Sequence, residues 1–293
     1  VSRTFARILA PVVNCRPDQL TRPCKGKTGL KDSMVYFTRS YRFEKKSGIS
    51  LLSRAVNDGD VEGVLDILRQ GRYPEVSWYP LSNRADHHNL LSQKIHEHYN
   101  RLCHVQDPQA ALDELNRFRI LCAVNRGELG VDTINANAAA VLAADENNRI
   151  PGGFKSEWYH GRPILITANE HNLGLFNGDV GIAMAHKTAR GKTCYVYFRD
   201  SSSETLQRYS PSRLPRYQDV YAMTIHKSQG SEFEEVLLVL PEKDTPLITR
   251  ELLYTAITRA KRNLSILAPE SVIRNAVSRR IKRASGLRDA LWR

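Results

Sequence analysis

The sequence predicts an α/β fold into which a small β-barrel is inserted. Residues 221–267 follow the order strand, polar loop, strand, helix, strand, and the apolar run Phe118–Val124 (FRILCAV) is typical of a buried strand. Apolar residues at helical spacing begin at Gly48, ahead of that run. Residues 157–215 instead contain short β-type runs separated by turn residues. These observations indicate mixed helices and strands with one β-rich insertion.

The elements before the insertion follow in a simple order. Residues 1–32 are rich in Pro, Gly and basic residues and are expected to be irregular. The predicted elements that follow are a short aromatic and β-branched segment at Asp32–Phe43, helical spacing from Gly48 to Leu68, a helix over 83–105, the strand Phe118–Val124 and a helix from Thr133 to Ala144.

The β-rich insertion follows a turn-rich linker at Asn147–Gly153. Its short strands read RPILITAN, DVGIAMAHK, TCYVYFRD and TLQRYSPSRL. Four or five strands in about 60 residues predict a small barrel. From Val220 the α/β pattern returns and continues into a basic C-terminal helix at residues 273–292.

The composition narrows the class of partner. Apolar residues make up 41% of the chain and aromatic residues 8%, an ordinary globular composition. The 43 Lys and Arg against 31 Asp and Glu give a net charge of +12. This excess favours an anionic partner, with nucleic acid first, although a basic protein without such a partner remains the alternative.

The cysteine spacing and the length of the apolar runs indicate in which cellular compartment the protein is expected. The five cysteines are scattered and form no CxxC pair, so neither a zinc site nor a disulfide framework is indicated. No apolar run reaches the length of about 18 residues that a membrane span needs. We therefore expect a cytoplasmic protein without a membrane partner. Since the sequence starts with Val and has no signal-peptide core, we also expect it to be part of a longer polypeptide.

Two GKT tripeptides suggest a nucleotide-binding P-loop, at Gly26-Lys27-Thr28 and Gly191-Lys192-Thr193. That motif needs a glycine five positions before its Gly-Lys pair, so that the backbone can wrap the phosphates. Those positions hold Thr21 and His186, and neither tripeptide follows an apolar strand and opens a helix. Neither is therefore interpreted as a P-loop.

The polar loop His226–Glu232 (HKSQGSE) lies between two predicted strands, Val220–Ile225 and Glu235–Leu240. Lys227, Ser228, Gln229 and the backbone at Gly230 can donate hydrogen bonds to phosphate oxygens, and Glu232 can accept from a ribose hydroxyl. A solvated polar turn between core strands is the alternative interpretation.

Arg259 lies on a predicted helix, Arg250–Arg262. An arginine there can reach a nucleotide γ-phosphate and offset developing charge. The alternative is an ion pair with Glu251 or Glu235. Arg42, beside Tyr41, is open to the same two interpretations, because a ring next to a cation suits either a nucleotide or a strand edge.

Two further groups of residues carry weaker signals. Five histidines lie between 87 and 104, but His96 and His98 point to different helix faces, so solvated side chains are favoured over a metal site. Near the C-terminus a basic helical face is either solvated or in contact with phosphates; its residues are Arg279, Arg280, Lys282 and Arg283.

Several segments together resemble a known family. They are SYRF at 40–43, GRP at 161–163, LGLFNGDVGIA at 173–183, PSRLP at 211–215, AMTIHKSQGSEF at 222–233, RELLYTAITRAKRNLS at 250–265 and SGL at 285–287. The chain resembles the C-terminal half of the RecD-type superfamily 1 DNA helicases, the family of the exodeoxyribonuclease V alpha subunit. The resemblance implies two RecA-like domains of the P-loop-NTPase type, the second carrying an SH3-like β-barrel.

The resemblance also implies domain boundaries and site residues. Residues 1–45 would be a remnant of the first motor domain and a connector, 46–156 and 216–293 the second RecA-like domain, and 157–215 the barrel. The implied site residues are Arg259 and Arg42 as catalytic groups, Tyr41, Gln229, Gly230 and Glu232 as nucleotide contacts, and Thr224, His226 and Lys227 as DNA contacts.

ATP and Mg²⁺ are the implied cofactors. The family holds them mainly through a P-loop, an acidic motif and a Gln-containing motif of its N-terminal half, and none of these occurs in the 293 residues. No metal site is therefore expected here, and we expect negligible ATPase activity from this chain alone.

The implied function is ATP-driven 5′-to-3′ DNA unwinding in double-strand-break repair and recombination. The implied partners are single- and double-stranded DNA ends and the beta and gamma subunits of exodeoxyribonuclease V. Two alternatives remain open: a non-catalytic nucleic-acid-binding module, and a helicase of the same branch that works outside any nuclease complex.

Overall fold

The computed structural model describes residues 2–20, 47–81, 84–143, 158–189, 191–200 and 205–281. The chain divides into two compact units, residues 1–42 with 282–293, and residues 43–281. Tyr41, Arg42 and the predicted segment Asp32–Phe43 lie outside the described residues, as do Lys282 and Arg283.

The described part of the first unit contains two short helices, α1 (Arg3–Leu9) and α2 (Pro17–Leu20). The hydroxyl oxygen of Ser2 accepts the Phe5 N–H at 3.1 Å, which caps the start of α1. Proline at the first position of α2 has a backbone angle already suited to a helix. The expectation that this segment is irregular is therefore wrong for these two stretches.

The second unit carries the remaining elements. Its helices are α3 (Gly48–Asp58), α4 (Val61–Gln70), α5 (Arg84–Tyr99), α6 (Pro108–Leu115), α7 (Val131–Ala143), α8 (Arg250–Ile257) and α9 (Glu270–Ser278). Its strands are β1 (Val76–Tyr79), β2 (Phe118–Cys122), β3 (Pro163–Ile166), β4 (Val180–Thr188), β5 (Gly191–Arg199), β6 (Leu206–Tyr209), β7 (Tyr217–Asp219), β8 (Ala222–Thr224), β9 (Phe233–Val239) and β10 (Ala260–Leu267).

Capping residues set the bounds of the first two helices of this unit. Ser47 begins α3 and Asp60 begins α4, each accepting a backbone N–H of the first turn. Gly59 ends α3 in the left-handed conformation, with φ of 78°. The predicted helical stretch from Gly48 to Leu68 is thus confirmed as two helices separated by a glycine turn.

Five parallel strands form the central sheet in the order β1-β10-β9-β2-β8. Along β9, Val236 and Leu238 join one core, whereas Leu237 and Val239 join the other. Helices α3, α4, α8 and α9 contribute to the first core, and α5, α6 and α7 to the second. This three-layer arrangement confirms the predicted α/β class. All five residues of β2 are buried, as the FRILCAV run predicted.

The β-rich insertion forms a second, antiparallel sheet in the order β6-β5-β4-β3-β7. One face has its own small core of Ile164, Ile166, Leu175, Ala183, Val196 and Phe198. On the other face Ile182, Met184 and Tyr197 join the second core of the α/β part. The sheet includes β7, which lies beyond residue 215, where the expected barrel ends.

Three features differ from the sequence-based expectations. Strand β1 and helix α6 had not been predicted. Helix α9 ends at Ser278, so the helix predicted over 273–292 is wrong for residues 279–281, and its remainder lies outside the described residues. In the part of the chain that the structure describes, no helix combines the length and apolar character needed to span a bilayer.

Candidate functional site

Thr224 marks the carboxyl edge of the central sheet. It pairs with Cys122, the last residue of β2, and Cys122 pairs in turn with Val239, the last residue of β9. The segment between β8 and β9, residues 225–232, begins directly after Thr224 and contains the polar loop His226–Glu232. Its first exposed side chains, His226 and Lys227, therefore follow the carboxyl end of an edge strand.

The same loop ends at the opposite edge of the sheet. Phe233 pairs with Ala260, and these are the first residues of β9 and β10. With a rise of about 3.3 Å per residue, β9 separates the two edges by roughly 20 Å. Doubly wound sheets usually bind ligands outside the carboxyl ends of their strands, whereas Glu232 and Arg259 lie just before the amino ends.

Hydrogen bonds within the loop fix its first turn. The buried Ser228 hydroxyl donates to the Ile225 carbonyl at 2.7 Å, and the Ser228 N–H donates to the Thr224 carbonyl at 3.2 Å. The Lys227 N–H donates to Thr224 Oγ1 at 3.3 Å. Ser228 was considered as one possible phosphate donor; in this structure its hydroxyl instead stabilises the turn that exposes His226 and Lys227.

The second half of the loop is more open. Gln229, Gly230 and Ser231 are exposed, and Glu232 is half-buried. Gly230 has φ of 89°, and in the described part of the chain no atom beyond the glycine and its two neighbours lies within 4 Å of the place where a Cβ would be. Only glycine adopts this conformation readily, and the open space lets another molecule approach the backbone closely.

Arg259 lies after helix α8 rather than on it, so the predicted helix Arg250–Arg262 is wrong beyond Ile257. The Thr258 hydroxyl donates to the carbonyl of Tyr254 at 2.9 Å and so occupies an acceptor at the end of the helix. From Ala260 the chain pairs in parallel with β9. This pairing ends the helix before the residue at which the sequence predicted its end.

Two hydrogen bonds join Arg259 to the end of the polar loop. Its Nη1 donates to the Ser231 carbonyl at 2.9 Å, and its own carbonyl accepts the Phe233 N–H at 2.9 Å. Its Nε donates to the Thr255 carbonyl at 3.1 Å, which aims the half-buried side chain. The structure thus brings Arg259 together with the Ser231–Phe233 end of the loop.

The acids considered as partners of Arg259 have other contacts. A carboxylate oxygen of Glu251 accepts the Ile281 N–H at 3.0 Å. A carboxylate oxygen of Glu235 lies 4.0 Å from Nε2 of His98. Both acids therefore interact with groups other than the Arg259 guanidinium.

Arg279, predicted to belong to a basic helical face, has a structural role. Its guanidinium donates to both carboxylate oxygens of Asp244, at 3.0 and 2.6 Å, and to the carbonyls of Thr245 and Ile248. It follows the last residue of α9 and ties the loop after β9 to that helix. This pairing leaves the guanidinium poorly placed for a phosphate.

The histidines do not form a metal site in the described part of the chain, where no group of three or more His, Cys, Asp or Glu could hold an ion. His98 stacks on Phe118 with ring centroids 3.9 Å apart, and His88 lies 3.0 Å from Glu128. Burial lowers the pKa of His98 and of His87.

The Gly191-Lys192-Thr193 tripeptide starts strand β5, in a hairpin where Gly191 pairs with Thr188. It opens a strand and not a helix, as its rejection as a P-loop predicted. The other tripeptide, at 26–28, lies outside the described residues.

Sequence reasoning missed one group of residues near the loop. Asn135 and Arg119 are buried and donate hydrogen bonds to the segment that leads into Thr224. No motif or spacing pointed to them, because Asn135 lies in an Ala- and Asn-rich helix and Arg119 inside an apolar strand.

Comparisons with known proteins find helicase sequences that are similar to this chain. The family described as UvrD-like helicase C-terminal domain matches residues 219–267, which include both the loop and Arg259. The RecBCD enzyme subunit RecD of Haemophilus influenzae is 32% identical over 278 residues, 88% of this chain and 41% of that protein. The same subunit from Mycobacterium tuberculosis is 38% identical over 261 residues, 88% of this chain and 43% of that protein.

Two more distant similarities accompany these. The ATP-dependent RecD2 DNA helicase of Deinococcus radiodurans is 33% identical over 146 residues, 49% of this chain and 19% of that protein. Among solved structures, the Pif1 helicase from Bacteroides in complex with ADP-AlF3 and ssDNA aligns at 16% identity with a TM-score of 0.41. That alignment covers 86% of this chain and 55% of the helicase, and it is too distant to assign roles to residues.

The chain spans less than half the length of the RecD relatives it matches, at 41% and 43%. The match lies in their C-terminal half. The parallel α/β sheet, with the loop and Arg259 at its edges, fits a RecA-like motor domain. By these similarities the chain resembles the C-terminal half of the RecD-type superfamily 1 helicases, and residues 219–267 match a UvrD-like helicase C-terminal domain.

Proposed function

We propose that this chain is the second motor domain of an ATP-dependent DNA helicase that unwinds from 5′ to 3′ in double-strand-break repair. The observation that carries the proposal is the polar loop 226–232, which connects an exposed basic turn at one edge of the sheet with Arg259 at the other. A helicase must link nucleotide hydrolysis to movement along a strand. A single short loop between the two edges supplies such a mechanical link.

The nucleotide would bind at the amino edge of β9 and β10. Here Arg259 would stabilise the transferring phosphate, and Gln229, Gly230 and Glu232 would be further nucleotide contacts. Arg42 as a catalytic group and Tyr41 as a nucleotide contact stay predictions from the sequence, because both lie outside the described residues. The open space beside Gly230 and the donor-rich guanidinium of Arg259 both suit phosphate oxygens.

ATP would supply the phosphoryl group whose transfer to water drives the movement. Arg259 is already aimed by its bonds to Thr255 and Ser231, so little reorganisation is needed when charge develops on a phosphate. Mg²⁺ and the phosphate cradle would be provided mainly by residues outside this chain, since no GxxxxGK[ST] occurs in its 293 residues.

A DNA strand would contact the carboxyl edge through Thr224, His226 and Lys227. His226 and Lys227 are exposed on the turn that Ser228 locks. The net charge of +12 supports binding to a phosphate backbone. Since phosphate contacts release counterions, the affinity is expected to fall steeply with salt.

The antiparallel sheet β6-β5-β4-β3-β7 would be the SH3-like β-barrel of this family. Its five antiparallel strands and its small separate core support that assignment. Its inclusion of β7 would move the boundary of the barrel from residue 215 to about residue 219. The domain boundaries proposed from the sequence otherwise stand as proposals.

DNA ends and the other subunits of a RecBCD-type enzyme are the proposed partners. The RecD relatives carry the name of a RecBCD enzyme subunit, and the Deinococcus relative is named an ATP-dependent DNA helicase. These names do not favour the alternative of a non-catalytic binding module.

The DNA side of this proposal is tested by titrating a fluorescent single-stranded oligonucleotide with the chain at several salt concentrations. We expect Lys227→Ala to weaken binding and to reduce the slope of log affinity against log salt by about 0.7, the value for one single-strand phosphate contact. Arg72→Ala is the matched control, because Arg72 is exposed after α4 beside β1, at the far edge of the sheet from β8. Equal effects of the two substitutions would contradict the proposed contact.

A further inference from the structure

Four consecutive backbone carbonyls, those of residues 219–222, accept hydrogen bonds from side chains. We call Asp219–Ala222 the junction segment, because it connects β7 of the antiparallel sheet with β8 of the parallel sheet. The donors are Asn135 Nδ2 to Asp219 at 2.9 Å and to Ala222 at 3.0 Å, Arg119 Nη1 to Val220, and Tyr99 Oη to Tyr221 at 2.5 Å.

The three donors are buried and come from different elements. Tyr99 ends α5, Arg119 lies in β2 and Asn135 lies in α7, with exposed fractions of 1%, 1% and 7%. In most proteins a backbone carbonyl accepts its hydrogen bond from a backbone N–H group or from water. A segment held by buried side chains from three elements has little freedom to shift independently of them.

Asn135 makes the hydrogen bonds that a neighbouring strand would make on the outer side of the edge strand β8. On the β2 side, the Ile120 N–H donates to the Tyr221 carbonyl at 3.5 Å and the Ile225 N–H donates to the Cys122 carbonyl at 3.1 Å. Because successive residues of a strand face opposite neighbours, the polar groups of Ala222 face away from β2. There the Ala222 N–H donates to Asn135 Oδ1 at 2.7 Å, and Asn135 Nδ2 returns a bond to the Ala222 carbonyl.

The junction segment is also tied to the point where the chain enters the antiparallel sheet. The Val220 N–H donates to the Pro163 carbonyl at 3.2 Å. The Arg162 Nε donates to Asp219 Oδ1 at 2.7 Å, and both side chains are largely buried. A displacement of the antiparallel sheet would therefore also displace the junction segment, which ends two residues before Thr224.

We infer that Asn135 is a positioning residue, which holds Ala222 so that Thr224, His226 and Lys227 are presented to a nucleic-acid strand. Asn135 acts through β8 and touches no ligand itself. Tyr99 and Arg119 support the same segment. This role rests on the proposed function, because it concerns the DNA contacts of the loop that follows.

The test compares Asn135→Ala with Asn137→Ala, a matched control since Asn137 is exposed two residues further along α7. Tyr99→Phe is a milder second variant that removes only the hydroxyl bonded to Tyr221. Each variant is measured by hydrogen exchange with mass spectrometry, by thermal unfolding and by binding of a labelled single-stranded oligonucleotide.

We expect Asn135→Ala to accelerate exchange in peptides covering residues 220–228 by about tenfold or more, with the other strands of the sheet unchanged. Oligonucleotide affinity should fall about tenfold under conditions where the variant remains folded, and about two- to threefold in Tyr99→Phe. The control should match the unsubstituted chain in all three measurements.

Two results for Asn135→Ala would overturn the inference and leave Asn135 with a general structural role. One is hydrogen exchange that rises equally over the whole sheet. The other is a DNA affinity that falls only in proportion to the folded fraction. If Asn135→Ala does not fold, the same criteria apply to Tyr99→Phe. If the unsubstituted chain fails to bind the oligonucleotide, the proposed DNA contact is wrong. The inference about Asn135 is then overturned as well if hydrogen exchange in Asn135→Ala is unchanged, or rises outside residues 220–228 as much as within them.

Discussion

Arg259 donates a hydrogen bond from Nη1 to the carbonyl oxygen of Ser231 at 2.9 Å. This contact joins two segments that lie 28 residues apart in the chain. Beside it, the parallel pairing of Phe233 with Ala260 fixes the backbones of both segments. The orientation of the guanidinium therefore depends on the conformation of the polar loop. A change in the loop at the carboxyl edge of the sheet can thus alter the position of Arg259 at the amino edge.

We expect Arg259→Ala to abolish ATP hydrolysis in a polypeptide that joins this chain to a P-loop-containing RecD-type domain. Loss of a cation that stabilises the transferring phosphate costs about 10³–10⁵ in rate in other nucleotide hydrolases. Nucleotide binding should persist, because the phosphate cradle lies in the other domain. Single-turnover hydrolysis and fluorescent nucleotide binding, each with single-stranded DNA present, measure the two effects.

Arg262→Ala is the control for that experiment, since Arg262 is exposed on β10 and pairs with Glu234 at 2.8 Å. It should leave turnover nearly unchanged. If the joined polypeptide binds DNA but shows no DNA-dependent turnover even with Arg259 in place, a non-catalytic binding module becomes the better interpretation.

The chain by itself should show negligible ATPase activity. Hydrolysis needs a phosphate cradle and a held Mg²⁺, and an arginine alone supplies neither. A sensitive phosphate-release assay with excess single-stranded DNA checks this. Turnover above background that disappears in Arg259→Ala would contradict the prediction, because it would show that these residues alone suffice.

Several elements were predictable because their signals are local. The strand FRILCAV is apolar throughout, as a central parallel strand covered on both faces must be, and all residues of β2 are buried. The polar loop 226–232 was placed correctly between two strands. Glycine and polar residues between apolar runs specify a turn without help from the rest of the fold.

Other features depend on contacts that no local pattern records. Arg259 was expected on the helix Arg250–Arg262, yet that helix ends at Ile257 and pairing with β9 begins the following strand at Ala260. Ser228 was considered as one possible phosphate donor, although its hydroxyl donates to the Ile225 carbonyl in this structure. The role of Asn135 depends on a segment 84–87 residues away, which spacing cannot indicate.

Ser228→Ala should destabilise the chain by about 1–2 kcal/mol, because it removes a buried hydroxyl and leaves the Ile225 carbonyl without that donor. Urea unfolding monitored by circular dichroism measures the loss. Since the same bond holds the turn that exposes Lys227, oligonucleotide affinity should fall as well. Ser231→Ala is the control, because Ser231 is exposed; an equal loss in both variants would contradict the turn-locking role of Ser228.

Arg279→Ala should lower the urea midpoint while changing DNA affinity no more than the loss of any single surface charge. The substitution leaves Asp244 and the carbonyls of Thr245 and Ile248 without their shared donor. Arg280→Ala, at an exposed neighbouring position, is the matched control and should not change the midpoint. A large loss of DNA affinity confined to Arg279→Ala would restore the phosphate-binding interpretation.

The stability of the fold should decrease as the pH falls below about 6.5, in part through His98. Burial lowers the pKa of His98 from its ordinary value, an effect that exceeds the opposing influence of Glu235 and Glu97. The unfolded chain therefore takes up a proton at a higher pH than the folded chain, so unfolding becomes more favourable as the pH falls through the unfolded-state pKa. The effect is absent well above that pKa.

Urea unfolding at about pH 7.5 and about pH 5.5 measures this dependence, because most carboxylates stay ionised across that interval. His98→Gln should reduce the loss of unfolding free energy between the two pH values, since it removes one group whose protonation favours the unfolded chain. His96→Gln is the control for the loss of a histidine, because His96 is exposed on the same helix. Because burial lowers the pKa of His87 as well, a residual dependence should remain in His98→Gln. An identical pH dependence in the unsubstituted chain and His98→Gln would show that His98 protonates equally in the folded and unfolded states.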